Sequence, residues 1–179
     1  PGNDAEKYFS ERFALNGGKV VEKLRVPLRN PDFAPFLQKV RDAKPDALFV
    51  FVPSGAGAAV MKQFLERGMD KAGIKLIGTG DVTDDDQLND MGDGALGVVT
   101  SHHYSAAHPS PMNKKFVEAF EKANKGLRPN FMAVGGGQEW DTTANVMRTV
   151  PQRLIDLRTM QEVGGGGVPR GLPRHLHAL

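Results

Sequence analysis

Ala5, Phe9 and Phe13 recur every fourth residue, the spacing of one helical face, and Gly17-Gly18 follow where such a helix must stop. Asn3 or Asp4 caps this helix, with Glu6 placed to close a capping box on Asn3. Residues 19–27 alternate instead. Val20, Leu24 and Val26 share one face and Lys23 and Arg25 the other, which predicts a half-buried edge strand. Asn30-Pro31 opens a second helix striped by Phe33, Phe36, Leu37 and Val40. Residues 47–52 are apolar without alternation, the pattern of a parallel strand covered on both faces. Ser54 then caps a third helix carrying Val60, Met61, Phe64 and Leu65.

The same alternation continues more weakly. Residues 74–77 predict a short strand, Gly78-Thr79-Gly80-Asp81 a turn, Leu88 and Met91 a short helix, and residues 95–100 another strand. Met112, Phe116 and Phe120 stripe a further helix. Strands alternating with helices through short connections imply an α/β fold, a flavodoxin-like or Rossmann-like parallel sheet sandwiched by helices. The texture changes near Gly135: twelve lysines precede that point and none follows, whereas five arginines do. With Gly164 to Gly167, Pro169, Pro173 and little periodicity after Leu157, residues 151–179 read as an atypical, loosely attached tail.

Composition narrows the chemistry. A formal charge of +2, with Lys/Arg interleaved among Asp/Glu, leaves no basic stripe for nucleic acid. No run of eighteen apolar residues predicts a spanning helix, so direct membrane insertion is not expected. The absence of cysteine removes thiol catalysis, disulfides and thiolate metal sites. Gly78-Thr79-Gly80 lacks the third glycine and following long helix of a dinucleotide site, and Gly164 to Gly167 follows no strand, so no cofactor is expected. Asp84-Asp85-Asp86 lacks calcium-loop spacing and reads as a solvated helix start; Ser54 sits in no nucleophile elbow.

Several segments, taken in order, resemble the second lobe of the leucine/isoleucine/valine-binding type of periplasmic solute-binding protein. Gly2-Asn3-Asp4-Ala5-Glu6 followed by Asn16-Gly17-Gly18-Lys19-Val20-Val21 is similar to that lobe's opening. Asp32-Phe33 with Phe36-Leu37, then Ala43-Lys44-Pro45-Asp46-Ala47-Leu48-Phe49-Val50, resembles its next helix and strand. Ile77-Gly78-Thr79-Gly80 and Gly94-Ala95-Leu96-Gly97-Val98-Val99-Thr100 resemble two later strands, and Pro111–Ala123 the helix after the chain leaves the lobe. The resemblance covers residues 1–135. It departs where Gly137-Gln138-Glu139 precede Trp140-Asp141, the displaced counterpart of an aromatic-Asp pair that opens a long helix in the family.

The resemblance implies one lobe, 1–104, of a type I binding protein, with 105–150 forming a hinge crossing and helices of the first lobe. It implies a periplasmic or extracellular, lipid-anchored or soluble receptor that closes on a small carboxylate and docks on an ABC-transporter permease. The ligands implied are branched-chain or other amino acids or aromatic acids, with no enzymatic reaction. It also implies strand order 2-1-3-4-5, with the lobe's first strand ahead of residue 1 and between 19–27 and 47–52. Those two strands are then expected to flank a slot, empty or filled by another chain; a direct ladder between them is the least favoured outcome.

In an open parallel sheet, ligands sit outside the carboxyl ends of the strands, the edge on which the family's cleft lies. This nominates Ser54, Gly55 and Ala56, where free N–H groups at a helix start favour an anion, although Ser54 also serves as a plain cap. It nominates Thr79, Gly80 and Asp81, which form either a close backbone approach with a carboxylate for an ammonium group or simply a glycine turn. It nominates His102 and Tyr104, which on a strand share a face opposite His103 and suit an aromatic carboxylate, or else cross a hinge in solvent. Two further functions fit the fold: a small α/β enzyme using Asp81 with His102 or His103 as acid and base, and a ligand-sensing regulatory domain.

Overall fold

The computed structural model describes residues 2–27, 29 and 32–135, together with the backbone of 153–156, 161–162 and 175–178. Asn30, Pro31, Trp140, Asp141 and Gly164 to Gly167, singled out above, lie outside the described residues.

Helix α1 (Gly2–Leu15) carries the Phe9/Phe13 stripe as its spacing requires, and Gly17, at φ +81°, ends it. The capping box does not form, because Asn3 lies inside the helix. Asn3 Oδ1 and Glu6 both accept from the Arg25 guanidinium instead, Glu6 Oε2 at 2.7 Å. Strand β1 (Lys19–Lys23) stops before Leu24, so the even-numbered residues part company: Val20 joins the α1 side while Leu24 and Val26 pack on the opposite core.

Helix α2 (Ala34–Ala43) starts three residues after Pro31, with Asp32 Oδ1 accepting from the Ala34 N–H at 3.0 Å. Strand β2 (Ala47–Val50) is buried at every position, as its unbroken apolar run predicts. Helix α3 (Gly57–Glu66), strand β3 (Lys75–Thr79), helix α4 (Leu88–Met91) and strand β4 (Val99–His102) follow in the α/β order. The chain then leaves the sheet for helix α5 (Pro111–Ala123), whose Ser110 side chain accepts from the Asn113 N–H at 3.2 Å, and returns through α6 (Phe131–Gly135).

Strands β2, β3 and β4 pair in parallel, Ala47 opposite Lys75 and Ile77 opposite Val99. Beyond β4 the sheet continues antiparallel through β5 (Arg153–Asp156) and β6 (Gln161–Glu162). The last strand, β7 (His175–Ala178), lies between β1 and β2 and parallel to both. Thus the slot expected there is neither empty nor occupied by another chain, and β1 and β2 do not pair directly; the chain's own C-terminal segment fills it. Three pieces of the segment expected to be loosely attached are therefore strands of the sheet.

Two apolar layers flank this sheet. On one face Phe9 stacks on Phe49 with ring centroids 3.8 Å apart, joined by Phe13 and Ala47. On the other, Phe33, Leu37 and Val40 of the α2 segment meet Leu48, Val50, Met61 and Phe64, all essentially buried. A third cluster, Tyr104, Ala106 and Val134 with Phe116 and Phe131, ties the α5–α6 excursion back to the sheet end.

Candidate functional site

The carboxyl ends of β1 and β2 open into a groove of about 1400 Å³. Apolar side chains form its floor (Phe49, Phe51, Val52) and Phe131 and Met132 one wall; Ser54, Gly55, Ala56 and Asp81 form the polar end. Arg25, braced by Glu6 and Asn3, stands at the far rim. The space exceeds the roughly 300–1,000 Å³ usual for an enclosed small-molecule site, as suits a cleft open on one side.

The sequence predicts Ser54 as the cap of α3. The helix instead begins after Ala56, with no side-chain cap, and the Ser54 hydroxyl turns across the groove to donate to Asp81 Oδ1 at 3.4 Å. This leaves the hydroxyl beside a carboxylate. Asp81 reaches this place because β3 runs directly into a 3-10 turn, Gly80–Thr83, that packs against α3. Gly57 makes that packing possible: a Cβ there would lie 2.0 Å from the Val82 carbonyl oxygen. Gly80 has a parallel role, since a Cβ on it would sit 2.1 Å from Cγ of His102. Glycine at 80 lets the imidazole lie across the backbone of the turn. Thr79 ends β3 with its hydroxyl buried and without a hydrogen-bond partner among the described residues.

Strand β4 ends at His102, so the alternation expected over 102–104 fails. His102 and His103 do not oppose one another: their rings are 4.4 Å apart, and both present to the edge of Phe131, at 4.6 and 5.3 Å. Burial lowers the His102 pKa to about 4, helped by His103 and resisted by the charge of Asp81. At neutral pH the imidazole is uncharged, with Nε2 buried and without a hydrogen-bond partner among the described residues. Tyr104 does not share its face. It is 3% exposed, edge-on to Phe116 at 6.3 Å, and burial pushes its phenol well above the ordinary tyrosine range. Ser54, Gly55, Ala56 and Asp81 therefore line the groove, and Thr79, Gly80, His102 and Tyr104 do not.

Phe51, Phe131, Met132 and Arg25 line the groove without having been singled out in the sequence. Phe51 carried a signal, the run 47–52 continuing past the strand; Phe131 carried none, because it arrives by a return from α5. Of the acidic triplet, Asp86 is exposed, but Asp84 and Asp85 are not the solvated helix start expected of them. Asp84 is buried and accepts from Asn130 Nδ2 at 3.3 Å; Asp85 accepts from the Ala106 N–H at 3.1 Å and faces Arg128 Nε at 3.5 Å. Among the described residues no group of His, Asp or Glu could hold a metal, and no helix is long and apolar enough to cross a membrane.

Residues 2–156 match the family model described as periplasmic binding protein. This chain belongs to the periplasmic binding protein family. Over 124 residues it is 43% identical to Leu/Ile/Val-binding protein homolog 6 of Brucella abortus (strain 2308), covering 69% of this chain and 32% of that relative. A solute binding protein of an ABC transporter from Rhodopseudomonas palustris BisB5, solved in complex with 3,4-dihydroxy benzoic acid, is 64% identical. It superposes with a TM-score of 0.74 over 83% of this chain and 40% of its own. A second, from Rhodopseudomonas palustris HaA2 in complex with p-hydroxybenzoic acid, is 33% identical with a TM-score of 0.72, covering 83% of this chain and 39% of its own. This periplasmic binding protein chain thus spans between about a third and two fifths of the length of these three relatives, each described as a binding protein.

Proposed function

We propose that the chain supplies one wall of a cleft for a small aromatic carboxylate of the hydroxybenzoate class, which the whole protein collects in the periplasm for the permease of an ABC transporter. The observation that carries this is the groove itself: an apolar floor and wall of Phe49, Phe51 and Phe131 ending in the Ser54–Asp81 pair. A planar ring suits the aromatic surfaces, and Asp81 accepts a hydrogen bond from a ring hydroxyl. The ligand's own carboxylate points away from Asp81, toward the open side and the other lobe, since like charges side by side repel. Ser54 holds the Asp81 carboxylate in place, with the Gly55 and Ala56 backbone beside it. The 64% identity to a protein solved with 3,4-dihydroxy benzoic acid supports the ligand class.

Calorimetry tests this reading. The chain should bind 3,4-dihydroxybenzoate more tightly than benzoate, at about millimolar affinity because one lobe leaves half the ligand wet. Asp81→Asn should narrow that preference. Tighter binding of leucine than of either aromatic acid would overturn it, assigning Asp81 to an ammonium group.

A further inference from the structure

Two adjacent carboxylates, Asp84 and Asp85, hold both ends of the α5–α6 excursion. On the outgoing side Asp85 Oδ2 accepts from the Ala106 N–H at 3.1 Å. On the returning side Asp85 Oδ1 faces Arg128 Nε at 3.5 Å, and Asp84 Oδ2 accepts from Asn130 Nδ2 at 3.3 Å. Asn130 is the residue before Phe131, and its own Oδ1 accepts from the Ala133 N–H at 3.0 Å, opening α6. Asp84 directly follows the Gly80–Thr83 turn that carries Asp81 on the groove. The same pair of residues therefore joins the turn at the groove's polar end to the base of its aromatic wall.

We propose that Asp84 and Asp85 are positioning residues, a clasp that sets Phe131 against His102 and thereby fixes the aromatic wall of the groove. Stability alone does not account for the pair. Burial is the largest influence on both carboxyls and raises both pKa values, against the hydrogen bonds and Arg128 that favour the charged form. Holding the two carboxyls against burial costs stability that the hydrogen bonds and Arg128 offset only in part. Their charge orients Arg128 and Asn130, where an amide in either place presents only one acceptor oxygen. The benefit falls on Phe131. Its ring meets those of His102 and His103 at 84° and 80°, and it packs on the cluster of Tyr104 and Val134.

His102 reports on the clasp without any ligand. In the intact chain its ring should titrate at about 4, read from the Cε1–H shift by NMR. In Asp84→Asn and Asp85→Asn the midpoint should rise by a unit or more as Phe131 lifts and water reaches the ring. Loss of a nearby negative charge would by itself move it down, so the direction is diagnostic. Amides 131–135 should exchange about tenfold faster, with a thermal midpoint no lower than the parent's. An unmoved His102 midpoint in both variants, or faster exchange shared by the whole sheet with a fallen thermal midpoint, would overturn the clasp. The consequence for ligand rests on the hydroxybenzoate reading: Asp85→Asn should bind 3,4-dihydroxybenzoate about tenfold more weakly. If the parent chain binds no aromatic acid, that reading fails while the His102 titration still decides the clasp.

Discussion

Phe131 stands edge-on to His102, with ring centroids 4.6 Å apart and planes at 84°. One ring comes from the end of the fourth strand and the other from the start of a short helix that returns to the sheet only after an excursion of nearly thirty residues (102–131). This pairing closes one side of the groove and leaves His102 uncharged.

The pH dependence of stability follows from that burial. His102 has its folded pKa lowered to about 4 from 6.5, so the unfolded chain binds the proton first. The stability it contributes is fully present above about pH 6.5 and is lost as pH falls toward 4. Asp84 and Asp85, with raised pKa values, act in the opposite direction at the acid end of this range. Comparison with His102→Gln isolates the histidine. The parent should lose more stability than this variant between pH 7 and pH 5 in urea unfolding, and equal losses would contradict the burial of the ring.

Gly57→Ala should destabilise by about 1–3 kcal/mol, because the new methyl meets the Val82 carbonyl and neither backbone can yield without moving the other. The turn that moves carries Asp81, so hydroxybenzoate affinity should fall as well. Thermal unfolding and calorimetry on one sample check both; an unchanged midpoint would show that α3 and the turn are less tightly packed than described.

Asn113 is fully buried, its Nδ2 donating to the carbonyls of Ala106 at 3.0 Å and His108 at 2.9 Å and, at 3.4 Å, to that of Ser105. Asn113→Ala strands those acceptors and should cost about 1–3 kcal/mol. Asn113→Asp should cost more, since it places a carboxylate among carbonyl oxygens. Urea midpoints of the two variants give the order; an Asp variant as stable as the parent would contradict it.

Much of this arrangement was legible in the sequence. The apolar run 47–52 carries β2, buried at each of its positions, and the stripe of Met112, Phe116 and Phe120 lies on α5 as its spacing predicts. What failed were inferences that local spacing cannot support. Asn3 and Glu6 have capping-box spacing, yet the Arg25 guanidinium, brought beside them by β1, outbids the backbone for both. Ser54 precedes a helix, yet a carboxylate from the next strand's end draws its hydroxyl away. Asp84 and Asp85 look solvated until residues 106–130 fold onto them. Each miss involves a partner more than fifteen residues away. Edge-of-sheet reasoning placed Ser54, Gly55, Ala56 and Asp81 on the groove, whereas Thr79, Gly80, His102 and Tyr104 do not line it, β4 stopping two residues short of Tyr104.

Strand β7 gives a prediction about the sheet itself. Removing residues 175–179 unpairs the facing edges of β1 and β2, the latter buried at every position. The shortened chain should show a lower thermal midpoint and faster growth of light scattering on warming, because an apolar strand with an open ladder templates association. Identical behaviour of the two chains would contradict the pairing.

The most direct test of the central claim is where an aromatic acid touches the chain. In an NMR titration with 3,4-dihydroxybenzoate, the amide shifts that move should be those of Phe51, Ser54, Gly55, Asp81 and Phe131, with α5 unaffected. Leucine at the same concentration should leave the groove signals in place. Shifts confined to residues outside the groove, or a groove that answers to leucine and not to the dihydroxybenzoate, would contradict the account.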